Sequence, residues 1–132
     1  MLETLGVPVI GYGTDEFPGF YYANTGLDLS HKVTTPQETA KAIAAYRATG
    51  YRGTILITQP PPEPLSREYV ESMLEKAGKD EPAGQARTPV LLKRLAALSD
   101  GQTVAVNLKL LRANAALAGR VACALGALTQ SA

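Results

Sequence analysis

The sequence has one cysteine, Cys123, and one histidine, His31, in 132 residues. A single thiol excludes an internal disulfide framework and a CxxC-type metal site. Cys123 stands in the apolar run 121–125 and reads as a small buried residue, the ordinary state of a free cysteine, rather than as a reactive thiol. Charge is scarce as well, at 19% of residues against about 25% in an average globular chain. That points to much buried surface, or to surface that another subunit or segment covers. Thirteen Lys and Arg against twelve Asp and Glu leave a net charge of +1, so no electrostatic case for nucleic acid or an anionic membrane follows. Internal repeats and low-complexity tracts are missing. Met1-Leu2-Glu3-Thr4-Leu5 lacks the basic start and long apolar core of a signal peptide. The most apolar stretch, 104–128, is long enough to span a bilayer. It carries Asn107, Lys109, Arg112, Asn114 and Arg120, each costly at membrane depth, and so reads as a buried helix of a soluble, cytoplasmic protein.

What is present reads as one domain of α/β or α+β type. Residues 6–12 are a short apolar run closed by glycine, as in a buried strand. Residues 29–33 alternate well enough for a second strand. Thr35-Pro36-Gln37-Glu38 is a capping box with proline at the first helical position, and the helix it opens stops near Thr49-Gly50. Residues 53–58 are rich in β-branched side chains and read as a third strand, ended by Gln59-Pro60-Pro61-Pro62. Ser66 caps a helix with Val70, Met73, Leu74 and Ala77 on one face. A polar loop follows over 78–86. Thr88-Pro89 reads as cap and first position of a helix striped by Leu91, Leu92, Leu95 and Leu98, ending at Asp100-Gly101. Thr103 starts the last helix. Three short strands make a poor sheet for a free-standing domain, since parallel strands need both faces and both edges covered. The chain reads as part of something larger.

The chemistry-bearing residues are few. His31 has no second His or Cys near it in sequence, so a structural or surface role outweighs a metal or triad role. Asp15-Glu16 follows a buried strand, where ligands gather in α/β sheets; the competing reading is that Thr14, Asp15 and Glu16 cap a short helix. Gly11-Tyr12-Gly13 lacks the third glycine of a dinucleotide fingerprint. On the last helix Lys109, Arg112, Ala116 and Arg120 share one face, the wet one. Asn107 and Asn114 share another face nearly opposite it, among Leu110, Leu111, Leu117 and Val121. A buried carboxamide without partners costs roughly 1–3 kcal/mol, so each should bond something. A backbone loop and a ligand both qualify. The segment from Arg87 onward is basic, but scattered helix-face charges are usually solvated.

From Leu2 to Tyr21, through Gly11-Tyr12-Gly13-Thr14-Asp15-Glu16-Phe17-Pro18, the chain closely resembles the pseudouridine-5′-phosphate glycosidase family, also called indigoidine synthase A-like. The resemblance continues through residues 35–38, 53–62 and 88–92, and ends in Asn107-Leu108-Lys109-Leu110-Leu111-Arg112-Ala113-Asn114-Ala115. It implies an α/β/α sandwich, here an incomplete one with few short strands followed by a helical C-terminal half. It also implies a homotrimer, a divalent metal, usually Mn2+, and reversible cleavage of pseudouridine 5′-phosphate to uracil and ribose 5-phosphate. In the family a lysine forms a Schiff base with the ring-opened sugar, an electron sink suited to a poor C–C leaving group. A glutamate moves protons and an aspartate holds the metal.

The likeness covers only the family's C-terminal portion, so residues 1–132 read as the C-terminal part of a single domain. The lysine, glutamate and aspartate fall upstream of Met1. None of Lys32, Lys41, Lys76, Lys79, Lys93 or Lys109 sits in the lysine motif, so no catalytic or metal residue is carried over. Only Asn107 matches a substrate-contacting position, which favours the ligand reading there. Two departures stand out: the family's Asn-Pro-Ile-Pro is Gln59-Pro60-Pro61-Pro62, and its Gly-Gly is Gly53-Thr54. The expectation is an enzyme fragment, inactive alone, that binds neither nucleic acid nor membrane. The rivals are a non-catalytic nucleotide- or subunit-binding remnant, and an α/β domain that shares ancestry without chemistry.

Overall fold

The computed structural model describes residue 4, residues 6–78 and residues 87–130, with the backbone alone at residue 87. Apart from Gly78, the polar loop expected over 78–86 lies outside the described residues, as does Lys79. The elements are β1 (Val9–Tyr12), β2 (Lys32–Val33), α1 (Pro36–Ala48), β3 (Leu56–Thr58), α2 (Arg67–Ala77), α3 (Arg87–Leu98) and α4 (Gln102–Gln130). This is a mixed α/β fold, a small sheet followed by a helical second half. Strand order is β2-β1-β3, parallel on both sides of β1.

Each strand is shorter than the apolar pattern suggests, because neighbouring backbone groups find other partners. The Leu29 N–H donates to the Asp15 carbonyl, beside the Glu16–Asp28 bridge, which takes Leu29 out of the second strand. Before β3, the Gly53 carbonyl accepts from the Arg47 guanidinium and the Thr54 carbonyl from the Tyr51 hydroxyl.

Gly11 is the crowded point of the sheet. It pairs with Lys32 on one side and Thr58 on the other. A Cβ there would fall inside the van der Waals shell of the Thr14 carbonyl oxygen and 3.0 Å from Leu29 Cδ1. Gly13 is different: its φ of +70° needs glycine, but the space around it is open.

The helices begin largely where the sequence signals put them. Thr35 Oγ1 accepts from the Glu38 N–H at 3.1 Å, and the Glu38 carboxylate takes the Thr34 and Thr35 N–H groups. These bonds, with the Thr34 hydroxyl, hold Glu38 below the usual carboxylate range. Ser66 caps α2 through the Tyr69 N–H at 3.2 Å. One start is displaced: α3 begins at Arg87, so Thr88 and Pro89 lie inside its first turn and Thr88 is not the cap. Proline is tolerated there because first-turn N–H groups have no intrahelical partner. Asp100 (φ 49°) and Gly101 (φ 80°) make the turn into α4, and the buried Ser99 Oγ accepts from the Thr103 N–H at 3.2 Å.

The core has a helical part, Tyr21, Val70, Met73, Ala77, Leu95 and Val106. Val9 and Ile10 of β1 and Ala40 of α1 are buried as well. Burying side chains such as Ile10, Val70 and Leu95 stabilises by about 1.5–3 kcal/mol each. α4, about 43 Å long at 1.5 Å per residue, packs on α1 and α3 through Thr103, Val106, Leu110, Leu117 and Val121. Several expected core residues are instead exposed: Leu74, Leu92, Leu98 and Leu111. Cys123 is exposed too. The run 121–125 is helical, so Val121 faces the core while Cys123, two residues on, points away from it. Among the described residues no helix is long and apolar enough to cross a membrane.

Gly11→Ala should destabilise the chain by about 3 kcal/mol, the upper end of overpacking costs. Gly13→Ala should lose about 1–2 kcal/mol, from the left-handed conformation alone. Urea melts compare the two; equal losses would contradict the close approach at Gly11. Because Glu38 titrates lower folded than unfolded, its cap contribution is complete above the unfolded carboxylate pKa. It fades as pH falls through the folded value. Glu38→Gln should therefore flatten the acid limb of the stability–pH curve, read by thermal melts between neutral pH and pH 3.

Candidate functional site

The loops after β1 and β3 leave the carboxyl ends of adjacent parallel strands, the usual place for a ligand in an α/β sheet. Between them and α4 lie two adjoining cavities of about 290 and 500 Å³ that share Ile57 and Asn114. The smaller is walled by Phe17 and Phe20 from the loop after β1, by Thr58 and Gln59 at the end of β3, and by Leu110. The larger runs along α4 past Leu117, Ala118, Val121 and Ala122 to Leu125. Among the described residues no ionisable side chain lines either cavity. Apolar walls with an amide, a second amide and a hydroxyl can bind and orient a ligand, but they hold no general acid or base.

The loop after β3 is tied to α4 at two levels. Gln59 Nε2 donates to Asn114 Oδ1 at 2.7 Å, and Lys109 pairs with Glu63. Lys109 is thus a clamp as well as part of the exposed charged face that Arg112, Ala116 and Arg120 continue. Asn114 is exposed and bonded to a loop side chain. Asn107 is half-buried two turns earlier, and its carboxamide makes no hydrogen bond among the described residues. It does not line either cavity but stands three residues before Leu110, which does. Leu111, expected beside the two carboxamides, is 56% exposed.

The acidic pair after β1 is neither a helix cap nor a free carboxylate pair. Thr14 Oγ1 accepts from the Glu16 N–H at 3.1 Å, the Glu16 carboxylate accepts from the Gly26 N–H at 2.9 Å, and Asp15 pairs with Lys32 at 3.5 Å. The same loop presents Phe17 and Phe20 to the cavity, so its contribution there is apolar. His31 is exposed, and its carbonyl accepts from the Gly11 N–H at 2.9 Å. Tyr21, beside the site, is buried; burial pushes its phenol up and a hydrogen bond with Thr103 draws it partly back, so it stays neutral at pH 7. Among the described residues no three His, Cys, Asp or Glu side chains come together to hold a cation. The described residues therefore offer no ligand set for manganese. Gln59 went unrecognised as a site residue; its one signal was that it replaces the asparagine of the Asn-Pro-Ile-Pro stretch.

The model of the "Indigoidine synthase A like protein" family matches residues 1–124. The chain belongs to that family. Among the family's curated relatives, the pseudouridine-5′-phosphate glycosidase of Gemmatimonas aurantiaca is 43% identical over 130 residues, covering 94% of this chain and 42% of the relative. That of Thermus thermophilus is 42% identical, covering 96% and 46%. The crystal structure of an indigoidine synthase A-like protein from Thermotoga maritima matches with a TM-score of 0.83 at 33% identity, over 92% of this chain and 41% of that one. The prealnumycin C-glycosynthase AlnA, solved with ribulose 5-phosphate, matches with a TM-score of 0.88 at 30% identity, over 99% and 45%. The chain therefore spans less than half the length of the curated relatives and solved structures it matches.

Gln59→Ala and Asn114→Ala should each lower stability by about 0.5–1 kcal/mol, the low end for a solvent-accessible hydrogen bond. In a double-mutant cycle the second change should cost almost nothing. Asn107→Ala, which breaks no bond, should leave the melt nearly unchanged. A loss at Asn107 equal to that at Asn114 would contradict this arrangement.

Proposed function

We propose that this chain supplies the C-terminal part of a pseudouridine-5′-phosphate glycosidase, an enzyme that reversibly cleaves the C–C glycosidic bond to give uracil and ribose 5-phosphate. The observation that carries the reading is the match itself, which runs almost end to end through this chain at 43% identity to a relative of that name. The sugar-phosphate ligand of AlnA supports a phosphorylated pentose as the class of molecule handled. In this reading the attacking lysine, the proton-transferring glutamate and the manganese-holding aspartate belong to the portion of the domain outside residues 1–132. The complete enzyme is a cytoplasmic homotrimer. Asn107 hydrogen-bonds the ribose or its open-chain adduct, a role that suits a carboxamide with no hydrogen-bond partner among the described residues, since it both donates and accepts without changing charge. Asn114, held by Gln59, staples the loop after β3.

A second reading, a non-catalytic remnant that binds a nucleotide or a subunit, draws on the cavities having no ionisable lining among the described residues.

The 132-residue chain alone should release no uracil from pseudouridine 5′-phosphate, with or without manganese. Turnover abolished by borohydride trapping of a lysine adduct would overturn that. When the chain is joined to the remaining part of the Gemmatimonas relative, Asn107→Ala should lower turnover on the order of 10²-fold, about 2.7 kcal/mol, at an unchanged melting temperature. Early melting with full turnover per folded molecule would make Asn107 a structural amide.

A further inference from the structure

We infer that the face of α4 formed by Val104, Leu108, Leu111, Ala115, Ala118 and Ala122, together with the free edge of β3, seats the part of the family domain that relatives carry outside the shared stretch. This rests on the reading of the chain as one part of that domain. Val104, Leu108 and Leu111 are 47%, 51% and 56% exposed, and the three alanines are exposed as well. Their spacing alternates four and three residues, which keeps them on one line along the helix, as in a helix–helix seam. At 3.6 residues per turn that line lies roughly 120° around α4 from the buried row. The core of the chain therefore does not use it. An apolar stripe of this length is not what a self-sufficient soluble surface shows.

The stripe is continuous with a second uncovered feature. Ala118 and Ala122 form one wall of the larger cavity and Ile57 of β3 the other. Among the described residues β3 pairs with β1 alone, and the alternation of a parallel ladder turns the Ile57 N–H to the other side. An added strand on β3 would thus lie beside the cavity and the stripe at once.

The family's dimensions choose the occupant. This chain covers 42–46% of its curated relatives and 41–45% of the matched structures, so more than half of each fold lies elsewhere. A sheet that is parallel throughout accepts another parallel strand from that portion. A second copy placed by a two-fold axis would instead pair β3 with β3 antiparallel, and the three-fold axis of a homotrimer sets unlike surfaces together, so neither continues the sheet at β3 with a parallel β3 of another copy. Asn107 and Asn114 lie between the buried row and the stripe, so the same occupant encloses both carboxamides at the joint.

Co-expression of this chain with the part of the Gemmatimonas relative outside the shared stretch tests the inference. The two polypeptides should co-elute as a defined complex. Leu108→Asp/Leu111→Asp should weaken their association on the order of 100-fold. Arg112→Ala, on the charged face, should change it by less than about threefold, as expected of a charge away from the buried interface. Both substituted leucines are exposed, so circular dichroism should show the chain's own fold unchanged. Association that ignores the paired aspartates would overturn the inference. So would soluble parts that fail to associate, or a tight self-dimer through the same stripe that excludes the other part. Uracil release reports separately: a stable complex without turnover keeps the docking face and removes the enzymatic reading.

Discussion

β1 is bonded on both sides, and Gly11 is where those bonds meet the turn that follows. Its N–H donates to the His31 carbonyl at 2.9 Å, its register fixes Thr58 of β3, and the Thr14 carbonyl folds back against it where a side chain would stand. The loops after β1 and β3 leave the sheet from this point, and the cavities form between those loops and α4. A glycine here sets the separation between the aromatic wall at Phe17 and Phe20 and the polar wall at Gln59 and Asn114. Overpacking at this one position would move both walls together.

α4 divides its circumference among four jobs. One row is buried, one carries carboxamides, one is charged, and one is apolar but exposed. The buried row packs within the chain, and Asn114 and Lys109 bond to Gln59 and Glu63; the apolar row at Val104, Leu108 and Leu111 stays exposed. A helix that leaves so much apolar surface in water is consistent with three strands of four, two and three residues. The larger cavity joins the two, with Ile57 of β3 on one side and Ala118 and Ala122 of α4 on the other.

Much of this was legible in the sequence. The capping box at Thr35, the cap at Ser66, the turn at Asp100-Gly101 and the location of all three strands follow from local chemistry that the structure keeps. Strand ends were not legible, because they depend on distant partners: nothing near Leu29 announces that its N–H goes to Asp15, and nothing near Gly53 announces Arg47. Periodicity identified the apolar residues of α3 and α4 but not which apolar row the rest of the chain would cover. Helical spacing puts Leu111 beside the carboxamides and an apolar neighbourhood suggests burial for Cys123, yet both face outward because nothing in the described part of the chain covers that side of α4. Of the site, the shared face of Asn107 and Asn114 was readable, whereas the Gln59 partner required the fold. Family likeness reached further than pattern, since the run through Gly11-Tyr12-Gly13-Thr14 carries the family assignment whereas the cavity it borders shows no ionisable lining among the described residues.

Residue-resolved amide exchange measures directly whether β3 is a free edge in the chain by itself. The Leu56 N–H donates to the Pro8 carbonyl at 2.9 Å and should be protected, while the Ile57 N–H, one residue on and facing away from β1, should exchange at a rate close to that of an open chain. Equal protection at Leu56 and Ile57 would mean that β3 already has a second neighbour, and would contradict an unfinished sheet.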